Sequence, residues 1–87
     1  MYAVVIPATF NDRAGAEAEL PDLVSQVSGM PGFVAGYWVA TSADRGTAMV
    51  VFESEDGAQG LAGVARDAPP GAVTAGTVEV GEVLARA

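Results

Sequence analysis

Apolar and polar residues follow two rhythms along this chain, and the changes of rhythm mark its elements. Tyr2 to Ala8 is a short apolar run containing the β-branched residues Val4, Val5 and Ile6, which predicts a first strand. Pro7 has no N–H to give to a ladder, so the strand should end there or turn that position away from a partner. Asn11 and Asp12 form a turn and helix-start signal. From Arg13 to Ser28 the apolar residues Ala16, Leu20, Leu23, Val24 and Val27 recur at helical spacing, with Glu17, Glu19, Asp22 and Gln26 between them. This is an amphipathic helix. Pro21 falls in its middle and should kink or split it. Gly29 can cap its end, and Pro31 blocks continuation.

Phe33 to Thr41 and Thr47 to Ser54 read as the second and third strands. Between them Ser42 to Gly46 reads as a hairpin loop, with Gly46 supplying the positive φ of a turn plus bulge. Ser54 is a suitable N-cap, and Glu55 and Asp56 follow it at the positive end of the dipole. The second helix should reach about Arg66, with Ala58, Leu61, Ala62 and Ala65 on one face. Gly57, Gly60 and Gly63 each cost a helix up to about 1 kcal/mol relative to alanine. That helix must rely on tertiary packing or let something approach its backbone closely. Ala68 to Gly71 is a loop, and Val73 to Leu84 reads as the last strand, with an irregularity at Gly81.

The order β-α-β-β-α-β over residues 1–87 predicts a single ferredoxin-like α+β domain. Its four-stranded antiparallel sheet would carry both helices on one face. A sheet with one wet face should alternate polar and apolar positions. These strands do not: Val4 and Val5, Tyr37 and Trp38, and Val50 and Val51 are adjacent apolar pairs, and neighbours on a strand point to opposite faces. Two helices cover only one side. The other should be covered by a second copy packing sheet on sheet, with Tyr37, Val39, Met49 and Val51 as interface residues. A chain of 87 residues builds a thin core, which adds to the need for a partner.

Composition narrows the chemistry. Half of the residues are hydrophobic and mean hydropathy is positive, which is not the signature of a disordered chain. No apolar run approaches a membrane span, and no basic-then-apolar leader opens the chain, so a cytoplasmic location is expected. Four arginines against eleven acids leave a net charge of −7, which opposes nucleic-acid and anionic-membrane partners. There is no Cys and no His, and all four cations are arginines. Disulfides, thiolate and imidazole metal sites, Ser–His–Asp catalysis and lysine Schiff bases are thereby excluded. No metal or cofactor is expected. Chemistry must come from carboxylates, Arg, Tyr, Trp, Asn, Gln, Ser, Thr or the backbone.

Three segments carry a resemblance. Met30-Pro-Gly-Phe-Val-Ala-Gly-Tyr-Trp38, Val50-Val-Phe-Glu-Ser-Glu-Asp56 and Val78-Glu-Val-Gly-Glu-Val83 resemble the dimeric α+β barrel group that includes antibiotic-biosynthesis-monooxygenase-like proteins. The resemblance covers nearly the whole chain in layout. It implies two sheets closing into a barrel and a ligand cleft between each sheet and its own helices. Activities in that group include cofactor-free oxygenation of phenolic, polyketide-like substrates and oxidative haem breakdown. The haem-degrading branch pairs an Asn near the end of strand 1 with a Trp and a His on helix 2. Here Asn11 matches only loosely, and Glu55 to Arg66 contains neither Trp nor His.

Candidate site residues each have a plainer reading. Trp38, the single Trp, would line the cleft if it faces the helices, or else anchor the core or the interface; a one-residue change of register decides which. Tyr37 must point the opposite way and suits the interface. Asn11 is a candidate catalytic donor at the cleft mouth or simply a helix cap. Arg13 and Arg66 are candidate ligand cations; the first also suits an ion pair with Glu17, the second a helix-dipole partner. Tyr2, Phe33 and Phe52 are candidate cleft walls or core. The sequence thus supports two functional classes. One is a cofactor-free monooxygenase-like enzyme acting on an electron-rich aromatic small molecule. The other is a non-catalytic dimer that binds an apolar or aromatic small molecule or serves as an accessory subunit. A third route, acid chemistry as in muconolactone-isomerase-like or dehydratase-like barrels, needs a buried carboxylate with a raised pKa.

Overall fold

The computed structural model describes residues 1–87. β1 spans Tyr2–Phe10, α1 Arg13–Ser28, β2 Phe33–Ala40, β3 Arg45–Phe52, α2 Glu55–Asp67, β4 Val73–Ala75 and β5 Glu79–Glu82. All pairings are antiparallel; the order is β2-β3-β1, and β4 and β5 both pair with the far edge of β1. This is the ferredoxin-like α+β arrangement, with the fourth strand divided in two.

The division has a local cause. Ala8 pairs with Ala75 but Val5 pairs with Glu79, so the β4–β5 side holds one residue more than β1 across the gap. That is a bulge. The Gly76 amide donates to the Pro7 carbonyl at 2.7 Å. In an antiparallel ladder a residue's N–H and C=O point to the same edge. The proton missing from Pro7 is therefore missing on the β4–β5 side. β1 runs on through Pro7 to Phe10, and its partner breaks instead, at Gly76–Val78 rather than at Gly81. A second bulge interrupts β2 between Phe33 and Ala35.

Gly46 departs from expectation. It is an extended residue of β3, paired with Ala8 and Ala40, and the one positive φ in the chain belongs to Gly32, ahead of β2. A Cβ on Gly46 would come 2.8 Å from Phe10 Cζ and 2.6 Å from the Val39 carbonyl oxygen, so this position needs room and not an unusual dihedral.

α2 begins under Ser54 as the sequence indicates, whereas α1 is capped by Asp12 and not by Asn11, whose side chain bonds to Gly71 and Thr74 instead. Asp12 Oδ1 accepts from the Gly15 amide at 3.1 Å, and Ser54 Oγ from the Gly57 amide at 3.2 Å. α1 runs unbroken through Pro21, giving up the helical bond to the Glu17 carbonyl. Its seating is lighter than its periodicity predicts. Only Ala16 and Val27 are buried, whereas Leu23 and Val24 are exposed. α1 leans on β2, and α2 lies over β1, β3 and β5.

The core forms beneath α2. Val4, Val50 and Phe52 are fully buried against Ala58, Leu61 and Ala62 of α2, with Val27 and Val78 completing the cluster. Phe33 sets its ring edge-on to Phe52, with centroids 6.3 Å apart. Gly57 lets the Phe52 side chain approach α2, since a Cβ there would meet it at 3.1 Å. On the opposite face of the sheet nothing covers Val5, Tyr37, Val39 and Met49; Tyr37 is 60% exposed and Val39 50%. Register places Met49 between Val5 and Tyr37, so these residues form one continuous apolar surface.

Candidate functional site

Because α1 stands off the sheet, a cleft of about 450 Å³ opens between them. Its floor is the helix-facing row of the strands: Ile6, Ala8 and Phe10 of β1, Ala48 and Val50 of β3, and Trp38 of β2. Leu20, Leu23 and Val27 of α1 form one wall, and Leu61, Val64 and Ala65 of α2 the other. Eighteen of the twenty-three lining residues are hydrophobic, so the cleft offers a ligand contact area far more than hydrogen bonds.

Trp38 faces the helices. It pairs with Ala48, which is buried on that side, and its half-buried ring folds back along β2 over Gly36. A Cβ on Gly36 would lie 2.9 Å from Trp38 Cζ3 and Cη2. The Gly36–Trp38 spacing, two residues apart on one strand face, is the sequence feature that gives the Cζ3–Cη2 edge of the indole room against the strand. Neither Gly36 nor the cleft-facing role of Leu20 and Leu23 was apparent from periodicity, which marks those leucines as a core stripe.

Arg13 closes the cleft at the hairpin end. Its Nε donates to Glu17 Oε1 at 3.0 Å, its Nη1 lies 3.3 Å from the Ser42 and Ala43 carbonyl oxygens, and its guanidinium sits 5.1 Å from the Phe10 ring centroid. It is thus a tie between the start of α1 and the β2–β3 hairpin, as well as a cation on the cleft. Glu17 lies beside it, and Glu19, further along α1, also lines the cleft.

The other sequence candidates are dispersed. Phe52 is in the core, and Tyr2 and Phe33 pack against it. Asn11 Nδ2 donates to the Gly71 carbonyl at 3.0 Å and to Thr74 Oγ1 at 2.7 Å, tying the turn before α1 to the entry of β4. Arg66 Nη2 donates to the Val78 carbonyl at 3.1 Å in a recess next to the cleft. Tyr37, Val39, Met49 and Val51 share the outer sheet face, with Val39 also reaching the cleft rim. The acid-chemistry route calls for a buried carboxylate, and no acidic side chain of the chain is buried. No group of three potential metal ligands comes together.

Comparison with solved structures identifies the architecture. The NE2512 protein of unknown function from Nitrosomonas europaea superposes with a TM-score of 0.71 over 99% of this chain and 91% of its own, at 16% identity. A variant of MhuD with two manganese protoporphyrin IX bound per active site gives 0.64 over 100% and 98%, at 18% identity. MhuD from Mycobacterium tuberculosis, a heme-degrader with two hemes in its active site, gives 0.53 over 97% and 98%, at 22% identity. The chain has the fold of NE2512 and MhuD. No protein-family model matches it, and no curated protein is significantly similar in sequence. Identities this low carry the fold and leave the chemistry to the side chains.

Proposed function

We propose that this protein is a homodimer in which each chain holds a small, flat, largely apolar molecule between its sheet and α1. The observation that carries the reading is the cleft itself: an opening of about 450 Å³, largely apolar on floor and walls, with the Trp38 indole in its lining. Only 12 of 87 residues are buried, and Leu20, Leu23 and Trp38 line this space without closing it. Pairing of the outer faces would cover Tyr37, Val39, Met49 and Val5, and the two sheets would then enclose a barrel.

The test is a thermal-shift panel of flat aromatic compounds. A ligand at a hundred times its Kd adds about 2.7 kcal/mol of stability, which raises Tm by several degrees in a chain this size. A panel of hydroquinones, anthrones, naphthols and polycyclic aromatics that leaves Tm unchanged would contradict the reading.

Haem, the substrate that MhuD is named for, does not fit these side chains as a ligated group. There is no His or Cys in the chain, no Met or Tyr lines the cleft, and its two acids, Glu17 and Glu19, are exposed, the first paired with Arg13.

A second reading, cofactor-free oxygenation, is favoured by the placement of Trp38. An anthrone-type substrate would lose a ring proton, and its enolate would pass electrons to dioxygen. One oxygen atom becomes the new carbonyl, the other leaves as water, and CH2 becomes C=O in a balanced four-electron oxidation. The protein would contribute a dry cavity and the indole N–H beside the enolate oxygen. Oxygen uptake with anthrones, slowed by Trp38→Phe, supports this version. Uptake equal to the protein-free rate, together with a positive thermal shift, leaves the binding reading alone.

A further inference from the structure

A second recess, of about 360 Å³, adjoins the cleft. Ala65, Ala68 and Ala75 line both spaces, so the two are neighbours. The recess differs in character from the cleft. Arg66, Thr74 and Thr77 face it, where α2 ends beside the bulge that Pro7 imposes on the last strand.

Arg66 spends one of its five N–H groups within the chain, on the Val78 carbonyl. It has no acidic partner: the one ion pair in the structure is Arg13–Glu17, and Asp67, next along the chain, does not pair with it. Thr74 Oγ1 accepts from Asn11 and retains its own proton, and the Thr77 hydroxyl has no partner in the chain. Arg66, Thr74 and Thr77, all three exposed, therefore line the recess with donors that the chain does not use.

The opposite wall is less suited to an anion. Arg13 is already matched by Glu17 at 3.0 Å, and Glu19 adds a further negative charge there. In a molecule of net charge −7, an acidic ligand group needs a cation whose charge is not already cancelled.

We propose that Arg66 is a specificity residue that reads one acidic group on the cleft ligand. The ligand is then a monoanionic aromatic acid, with its apolar body against Trp38 and its carboxylate, sulfonate or phenolate in the recess with Arg66 and the two threonines. This rests on the cleft being a binding site, and the experiment separates the two claims.

Two fluorescent probes differ in a single group: phenylnaphthylamine, which is uncharged, and anilinonaphthalene sulfonate, the same body carrying one sulfonate. Both are titrated into the whole protein and into Arg66→Gln. The expected result is about a tenfold loss of affinity for the sulfonate, the size of one charge-assisted hydrogen bond, with the uncharged probe changed by less than about twofold. Arg86→Gln removes the same charge from the far end of the chain and should leave the ratio of the two affinities as in the unmodified protein. Arg66→Lys, a point charge without the fork, should recover part of the sulfonate affinity. Equal weakening of both probes by Arg66→Gln, or an unchanged ratio, overturns the proposal and leaves the cleft reading standing. Failure of both probes to bind overturns both. Should Arg66→Gln fail to fold, added salt serves instead: the unmodified protein must lose affinity for the sulfonate and not for the uncharged probe, and equal salt dependence overturns the proposal.

Discussion

Trp38 and Gly36 show how one side chain sets the character of the cleft. The indole occupies the space that any Cβ on Gly36 would fill, so Gly36→Ala must push the ring off the strand and into the opening. The expected cost is about 1–3 kcal/mol, as for other insertions into a fitted space. It should appear as a lower Tm together with an altered near-ultraviolet circular dichroism band from the single Trp; a stabilised variant with an unchanged band would contradict the placement. Gly60 makes the opposite case. Nothing lies within 4 Å of the position its Cβ would take, and it sits inside α2. Gly60→Ala should therefore stabilise the chain by up to about 1 kcal/mol, raising Tm by a few degrees, as a melting curve will show. The Arg13–Glu17 pair is largely exposed on both sides, 42% and 61%, and Glu17→Gln should change stability by no more than a few tenths of a kcal/mol.

At the scale of elements, α2 is the anchor and α1 the lightly seated wall. α2 carries Ala58, Leu61 and Ala62 into the core under a Ser54 cap, whereas α1 buries two residues of its sixteen. Ser54→Ala should cost about 1 kcal/mol in chemical denaturation, because the Gly57 amide loses its acceptor. Hydrogen exchange should find α1 opening before α2; equal protection of the two helices would argue against a loosely held wall. Much of this layout was legible in the sequence. The Ser54 cap, the extent of α1 and the two-sided apolar strands follow from local chemistry, which acts over a few residues. What was not legible depends on partners distant along the chain. Gly46 resembles a turn residue until the Phe10 ring lies against it, and the bulge opposite Pro7 could be foreseen only by knowing which edge of β1 faces the last strand. The site was harder to read for the same reason. Trp38 and Arg13 do reach the cleft, but Asn11 is spent on Gly71 and Thr74, sixty or more residues away. Leu20 and Leu23 have the periodicity of core residues because an apolar cleft wall and a core obey one pattern.

For the whole molecule, the two faces of the sheet differ: one floors the cleft, and the other is a bare apolar surface that, on the proposed reading, a second copy covers. Sedimentation at micromolar concentration should give about twice the 8.7 kDa chain mass. Tyr37→Glu, which sets a charge in the centre of that surface, should return the protein to monomer. A well-behaved monomer without the substitution would remove the dimer, while the cleft, which lies within one chain, would remain. The most direct test of the account uses the lone Trp in the cleft as its reporter. Titration with phenylnaphthylamine should quench Trp38 emission by energy transfer, saturating at one probe per chain. Bright probe fluorescence with no saturable loss of Trp38 emission would place binding elsewhere and contradict the account.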